Sequence, residues 1–325
     1  MSESFGILQP QSKRPHIVII GGGFAGIAAV KALRHSEADV TVIDRRNHHI
    51  FQPLLYQVAT AVLAPADVAA PIRQLSARQK NVSVLLAEVI GVDLASRTVE
   101  MKYPGAGDKE IAFDYLIVAA GVQSSYFGHN EFAEYAPCLK TITDAQSIRS
   151  KILSAYELAE STDDEDERRR LMTFVLVGAG PTGVELAASI AQMAKTTLRA
   201  NFRRIDPATT SIVLLDGAKR VLPSFAESSS LKAAQRLAQL GVQVMTSAMV
   251  EPGLFYVGGS NRRRQTIVTE RRFSRIFWGD LPAEGFEPPT YGLQNRCTTT
   301  VLSRHGEGRI IADECLRCSR CYCGA

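Results

Sequence analysis

Three glycines, Gly21, Gly23 and Gly26, lie between the apolar run "HIVII" and the helix-forming run "FAGIAAVKALRH". An acid, Asp44, ends the next apolar run 23 residues after Gly21. The spacing G-x-G-x-x-G between a predicted strand and a predicted helix suits a pyrophosphate. The first glycine allows a tight turn, the second lets phosphate oxygens approach the backbone, and the third lets helix and strand pack closely. Unpaired N–H groups at the helix start then face the phosphates, and Asp44 can accept hydrogen bonds from a ribose. The arrangement returns in "MTFVLVGAGPTGVELAASIAQMA", with Gly178, Gly180 and Gly183. Its acid is Asp216, ending "TSIVLLD" 38 residues after Gly178. That gap exceeds the usual roughly 20 residues, because "KTTLRANFRRIDPATT" lengthens the helix and its return loop.

Two such units in one chain predict two dinucleotides, and their productive use is hydride transfer between a nicotinamide and a flavin. FAD and NADH are the expected pair. An acid at the second strand end repels a 2′-phosphate and favours NADH, while Lys219 and Arg220 just beyond it leave NADPH open.

The elements that must position these residues give the expected fold class: α/β, with two Rossmann-like dinucleotide-binding units, one for FAD and one for NAD, incomplete at the C-terminus. "VSVLLAEVIGVDLASRTVEMK" predicts alternating strands, and "EIAFDYLIVAAGVQSSYFG" a strand entering a small-residue turn at Ala120 and Gly121. "TDAQSIRSKILSAYELAES" predicts a helix, and the charged run "TDDEDERRR" a solvated linker or loop. The expected domains are then FAD-binding over residues 1–165, NAD(H)-binding and truncated over 166–250, and an atypical, poorly ordered tail over 251–325.

Composition narrows the function. Residues 1–251 hold 26 basic and 26 acidic side chains, whereas residues 252–325 hold 11 arginines, no lysine and 7 acids. No basic face patterned with aromatics precedes the tail, which argues against nucleic acid as a partner. The opening "MSESFGILQPQSKRPH" lacks the apolar core of a secretory signal, and no run of about 18 residues is apolar enough to span a bilayer, so a cytoplasmic location is expected. Five of six cysteines fall in the last 29 residues, leaving Cys138 alone in the body. A redox dithiol needs two thiols a few residues apart beside the flavin, so electrons must leave it directly, for a quinone, oxygen, a dye or a protein carrier. His48 and His49 are adjacent on an extended segment, point to opposite sides and do not share an ion; no metal is expected there. The tail thiols Cys315, Cys318, Cys321 and Cys323 could bind zinc or an iron–sulfur cluster, although structural zinc usually takes two separated pairs.

The strings "IIGGGFAG", "VIDRRNHHIFQPLLYQVATAVLAPADVAAPIR", "YLIVAAGVQSSYFG", "VLVGAGPTGVELAASIA" and "RRIDPATTSIVLLDGAKRVLPSF" carry a family resemblance. The first 250 or so residues resemble a type II NADH dehydrogenase, the flavin-dependent, non-proton-pumping NADH:quinone oxidoreductase of the respiratory chain. The resemblance implies that Gly21, Gly23, Phe24, Ala25, Gly26, Asp44, Arg45, Val89 and Gly121 contact FAD. It implies that Gly178, Gly180, Pro181, Thr182, Gly183, Glu185 and Asp216 serve NADH, with Glu185 near the nicotinamide–flavin junction. Glu185 also reads as a first-turn glutamate stabilised by its helix dipole. The long uncharged stretch after Asp44 would lie along the flavin, with Gln52, Gln57 and the backbone around Thr60 making polar contacts. Quinone as acceptor, peripheral contact with the cytoplasmic face of the inner membrane and a homodimer are implied in the same way. After residue 250 the resemblance ends: "FWGDL" mimics the family's Gly-Asp strand end without an apolar strand before it, and a truncation or frameshift is the expected origin of the tail. A truncated, inactive nucleotide-binding remnant and a soluble NADH-dependent flavoprotein reductase serving a protein carrier stand as alternatives.

Overall fold

A computed structural model describes residues 14–248, apart from 106, 127–129 and 135, together with the backbone of three short strands outside that span. In chain order the elements begin with β1 (Ile7–Leu8), β2 (His16–Ile20), α1 (Phe24–Ala32), β3 (Asp39–Asp44), β4 (His48–Ile50), α2 (Leu55–Ala59), β5 (Ala69–Pro71) and α3 (Ile72–Ser76). They continue with β6 (Val82–Leu86), β7 (Glu88–Asp93), β8 (Thr98–Tyr103), β9 (Gly107–Ala112), β10 (Tyr115–Val118), α4 (Ile142–Ser161) and α5 (Glu165–Leu171). The remainder are β11 (Thr173–Val177), α6 (Pro181–Gln192), β12 (Ser211–Leu215), α7 (Glu227–Gln239), β13 (Val242–Met245), β14 (Arg275–Trp278) and β15 (Thr300–Leu302).

The chain divides into two compact units, residues 1–50, 69–122 and 295–325, and residues 51–68 and 123–294. This differs from a boundary at 165: α4 and residues 51–68 both lie with the second unit.

In the first unit a five-stranded sheet has the order β15-β10-β2-β3-β6, parallel except where β15 joins β10. Alternate residues of β2 face opposite ways, as the strand period requires. Ile19 packs with Ile27 and Val30 of α1 and Ile72 of α3, whereas Val18 and Ile20 pack with Val99, Met101 and Ile111 of a second, four-stranded sheet, order β1-β9-β8-β7. Burial on both faces explains the unbroken apolar character of "HIVII". Each fully buried side chain, such as Ile19 or Leu116, stabilises the unit by about 1.5–3 kcal/mol relative to exposure.

The second unit is built on a parallel sheet of order β13-β12-β11-β14. All five residues of β11 are buried. A capping box opens α4: the Thr141 side chain accepts from the Asp144 N–H, and the Asp144 carboxylate from the Thr141 N–H. Tyr156 of α4 is fully buried against Phe174 and hydrogen-bonds the Thr210 hydroxyl at 2.8 Å; burial pushes its phenol up to about 12.

The charged run "TDDEDERRR" is not a linker. Residues Glu165–Leu171 form α5, with Asp164 as N-cap accepting from the N–H groups of Asp166 and Glu167. Its acids occupy the first turn and its arginines the last, matching the helix dipole, and Glu165–Arg168, Asp166–Arg169 and Glu167–Arg170 pair at i,i+3. An apolar strand does precede "GD" in the tail: Arg275–Trp278 pairs in parallel with β11, in the second unit's sheet. The tail cysteines lie outside the described residues.

Candidate functional site

The first glycine loop joins β2 to α1. Gly21 holds φ at +104°, and a β-carbon there would sit 2.2 Å from the Ala119 carbonyl oxygen. A β-carbon on Gly26 would lie 1.8 Å from the Gly21 carbonyl oxygen, so helix and loop touch with no room for a methyl. Gly23 differs: it is the N-cap of α1 with an extended backbone (φ −74°, ψ −164°), and a β-carbon would meet nothing within 4 Å. No side chain caps the helix. Asp44 sits at the end of neighbouring β3, where Oδ2 accepts from the Gly22 N–H at 2.6 Å and Oδ1 from the Arg46 N–H at 2.8 Å. The half-exposed carboxylate keeps lone pairs for two ribose hydroxyls.

The second loop, between β11 and α6, repeats this construction. Gly178 has φ +100°, and a β-carbon on Gly183 would lie 1.8 Å from the Gly178 carbonyl oxygen. Gly180 is the extended N-cap (φ −71°, ψ −176°), again without a side-chain cap, and Pro181 follows at the first helical position. Asp216 accepts from the Ala179 N–H and, at 2.6 Å, from the Ala218 N–H. The 38-residue gap therefore leaves the acid in the place Asp44 takes in the first loop. The Asp216 side chain is more enclosed, at 6% exposure. Arg220 is taken up by the carbonyls of Pro223 and Phe225 and the Ser230 hydroxyl, which leaves exposed Lys219 as the nearby cation for a 2′-phosphate.

Glu185 is the fifth residue of α6, in its second turn, and no acid occupies the first turn. The dipole at the helix start is therefore not what holds it. Its side chain is exposed and has no hydrogen-bond or ion-pair partner among the described residues, while the surrounding protein strips enough water from the carboxyl to raise its pKa.

The remaining candidates separate. Phe24 and Ala25 open α1 beside the first loop, Arg45 is exposed next to Asp44, and Gly121, at φ +73°, follows the Ala119 segment that packs on Gly21. The Ala87 N–H donates to the Asp44 carbonyl at 3.0 Å, bringing the start of β7 to the acid, yet the Val89 side chain packs into the unit's core. Gln57 belongs to the second unit, where its Nε2 donates to the Tyr56 hydroxyl at 2.9 Å. The two histidines diverge as adjacent residues on a strand should, His48 to the Asn47 side chain and His49 to the Gly22 carbonyl. His49 is a contact the sequence did not single out.

Residues 51–68 dock on helices of the second unit. The Phe51 N–H donates to the Val68 carbonyl at 2.7 Å and closes the neck of the segment. Within it, α2 packs against α4 and α6, with Leu55, Val58 and Ala59 buried. Thr60, 3% exposed, donates its hydroxyl to the Tyr56 carbonyl and is bonded to the Ser189 hydroxyl at 2.7 Å. Ser189 lies one turn beyond Glu185 on the same face of α6. Cys138, a free thiol of the second unit, donates to the Tyr126 hydroxyl at 3.1 Å.

Both loops fit a dinucleotide pyrophosphate: uncapped N–H groups, an unobstructed approach at Gly23, and carboxylates anchored by backbone yet short of full coordination. The description pyridine nucleotide-disulphide oxidoreductase fits residues 15–270. Two type II NADH:quinone oxidoreductases of Mycobacterium tuberculosis, NdhA and Ndh, are 49% identical over 237 residues and 46% over 238, each alignment covering 73% of this chain and 50% and 51% of the relative. An external alternative NAD(P)H-ubiquinone oxidoreductase, B2, mitochondrial, of Arabidopsis thaliana is 32% identical over 251 residues, 75% of this chain and 43% of that protein. The chain thus spans about half the length of the curated relatives it matches. Among solved structures, NDH2 from Plasmodium falciparum in complex with NADH shares the fold, with a TM-score of 0.70 at 23% identity over 82% of this chain and 55% of that one. The chain belongs to the pyridine nucleotide-disulphide oxidoreductase family, and within it is similar to the type II NADH:quinone oxidoreductases.

Proposed function

We propose that the first loop binds FAD, the second binds NADH, and the protein is a non-electrogenic NADH:quinone oxidoreductase. The observation that carries this reading is the duplication itself: two loops with the same positive-φ first glycine, the same 1.8 Å closure at the third, and the same carboxylate-to-loop bond. Bound FAD supplies two-electron chemistry, taking a hydride from NADH and giving electrons to a quinone. The chain's own work is positional. Gly23 and the first turn of α1 hold the FAD pyrophosphate, with Gly21, Phe24, Ala25, Gly26 and Gly121 shaping the loop and Asp44 and Arg45 at the ribose end. Gly178, Gly180, Pro181, Thr182 and Gly183 hold the NADH pyrophosphate, and Asp216 its ribose. The commitment of Arg220 to its own loop, beside an acid, supports NADH over NADPH. Glu185, whose carboxyl is raised above its ordinary pKa by desolvation, holds its proton more readily than an exposed glutamate does.

Only Cys138 precedes the tail cysteines, which supports direct electron transfer over a dithiol relay. No helix among the described residues is long and apolar enough to cross a membrane; the proposed setting is peripheral, at the cytoplasmic face of the inner membrane where lipid-soluble quinones are reached, and as a homodimer. The experiment is anaerobic: the purified chain is loaded with FAD, NADH is added, and the flavin absorbance is followed. Bleaching by NADH, and its reversal by a short-chain quinone, is the expected result. Bound flavin that NADH cannot bleach refutes the reading.

A further inference from the structure

Gly22, the middle residue of the first loop, is clamped from three directions. Its N–H donates to Asp44 Oδ2 at 2.6 Å, and its carbonyl lies 3.1 Å from His49 Nδ1. Ile72 closes the third side, since a β-carbon on Gly22 would fall 2.4 Å from Ile72 Cδ1. A carbonyl can only accept, so His49 must carry a proton on Nδ1. The imidazole is oriented by two further contacts. It meets the Phe24 ring edge-on, with centroids 5.0 Å apart at 81°, and its backbone pairs with Ala70 across the β4–β5 ladder.

The second loop engages the same two backbone groups on its middle residue. Ala179 donates its N–H to Asp216 and accepts the Leu222 N–H at 2.8 Å. Both loops therefore clamp this carbonyl, one with a backbone amide and the other with a histidine side chain. The consequence follows from peptide geometry. In a trans peptide the C=O and the next N–H point in opposite directions, so a bond to the Gly22 carbonyl fixes the direction of the Gly23 N–H. Gly23 is where the loop has open space.

We propose that His49 is a positioning residue for the flavin dinucleotide: by holding the Gly22 carbonyl it aims the Gly23 N–H at the FAD pyrophosphate. This rests on the reading of the first loop as the FAD site. The test uses the full 325-residue chain freed of flavin. FAD dissociation constants come from flavin fluorescence and the bound pyrophosphate is observed by 31P NMR. Three variants separate the possible causes. His49→Phe keeps the ring edge on Phe24 and removes the donor, His49→Asn offers an amide N–H near the place of Nδ1, and His49→Ala removes both. FAD affinity is expected to fall about 10-fold in His49→Phe and His49→Ala, with the 31P resonances shifted. His49→Asn is expected to restore most of both, and NADH affinity to stay at the wild-type value throughout. Wild-type FAD affinity and 31P shifts in His49→Phe overturn the proposal. So does a loss of FAD in all three variants that tracks a lowered melting temperature of the flavin-free chain, because that assigns His49 to folding. A wild-type chain that takes up no FAD overturns the reading of the first loop and the proposal with it.

Discussion

Gly23 and Gly26 stand three residues apart in one motif, and the structure assigns them opposite vulnerabilities to the same change. In Gly26→Ala the new methyl starts 1.8 Å from the Gly21 carbonyl oxygen, and that oxygen must retreat by roughly 1.5 Å to reach ordinary contact. The neighbour is backbone and belongs to a loop whose Gly21 N–H is bonded to the Ile43 carbonyl at 2.8 Å. Overpacking against a structure that cannot rotate away costs about 1–3 kcal/mol, with this site at the upper end. At about 2–4 °C per kcal/mol for a protein of this size, the flavin-free chain should melt roughly 6–12 °C lower. Gly23→Ala meets nothing, and its backbone is one that alanine adopts. Only the poorer N-cap matters, about 0.5–1 kcal/mol. Its methyl instead occupies the approach to the uncapped N–H groups. Losing one charge-assisted bond to phosphate, about 1.5–3 kcal/mol, weakens FAD binding roughly 10- to 150-fold. Circular dichroism melts of the flavin-free chain, set beside FAD titrations by fluorescence, separate the two effects. If Gly23→Ala binds FAD as tightly as wild type, or if Gly26→Ala melts with wild type, the assignment of the loop is wrong.

Thr60→Val should cost about 1–3 kcal/mol in urea denaturation, because the Ser189 hydroxyl is left against a methyl, and Thr60→Ser should recover most of it. Glu160 accepts from the N–H groups of Arg203, Arg204 and Ile205, and against a desolvation that would raise its pKa these bonds hold it below its ordinary 4.5. A depressed folded pKa means that stabilisation is present above the unfolded value and is lost as pH falls through the folded one, so wild type should lose stability more steeply than Glu160→Gln on acidification below about pH 4.5. Glu185 carries the opposite sign: desolvation raises its pKa, so stability is lost as pH rises from its ordinary 4.5 through the raised value. Glu185→Gln should therefore raise the melting temperature at pH 8 and leave it unchanged at pH 4, while slowing flavin reduction by NADH; a lowered melting temperature at pH 8 would contradict the desolvated carboxyl.

The glycine loops were legible in the sequence because everything they need is local: an apolar strand, three glycines at fixed offsets and a helix. Asp216 was harder to place because the residues between α6 and β12 obscured its distance, and only the sheet shows β12 beside β11 with the acid at the loop. The helix α5 was misread for a definite reason. A dense charge run resembles a solvated linker until its offsets are checked, and the three acids each stand three residues before an arginine, behind an Asp at the N-cap position. His49 had no such local signal. Its role depends on the β4–β5 hairpin returning toward Gly22, a tertiary fact that adjacent histidines do not announce.

The near-neutral stretch after Asp44 has a physical cause that a ligand alone does not supply. Leu55, Val58 and Ala59 follow an i, i+3, i+4 pattern, the mark of one buried helix face, and in the second unit that face meets α4 and α6. Thr60, next along, reaches a hydroxyl rather than an ion, and at 3% exposure a charge in its place would be buried without a counter-ion, at a cost of several kcal/mol. Exposed Ala61 and Val62 lie outside this constraint, so their lack of charge has a separate origin. Ala61 holds φ at +61°, a left-handed conformation that costs a non-glycine residue about 1–2 kcal/mol. Packing accounts for residues 55–60, and the strained, exposed tip beyond them is uncharged for a reason that packing within the second unit does not supply.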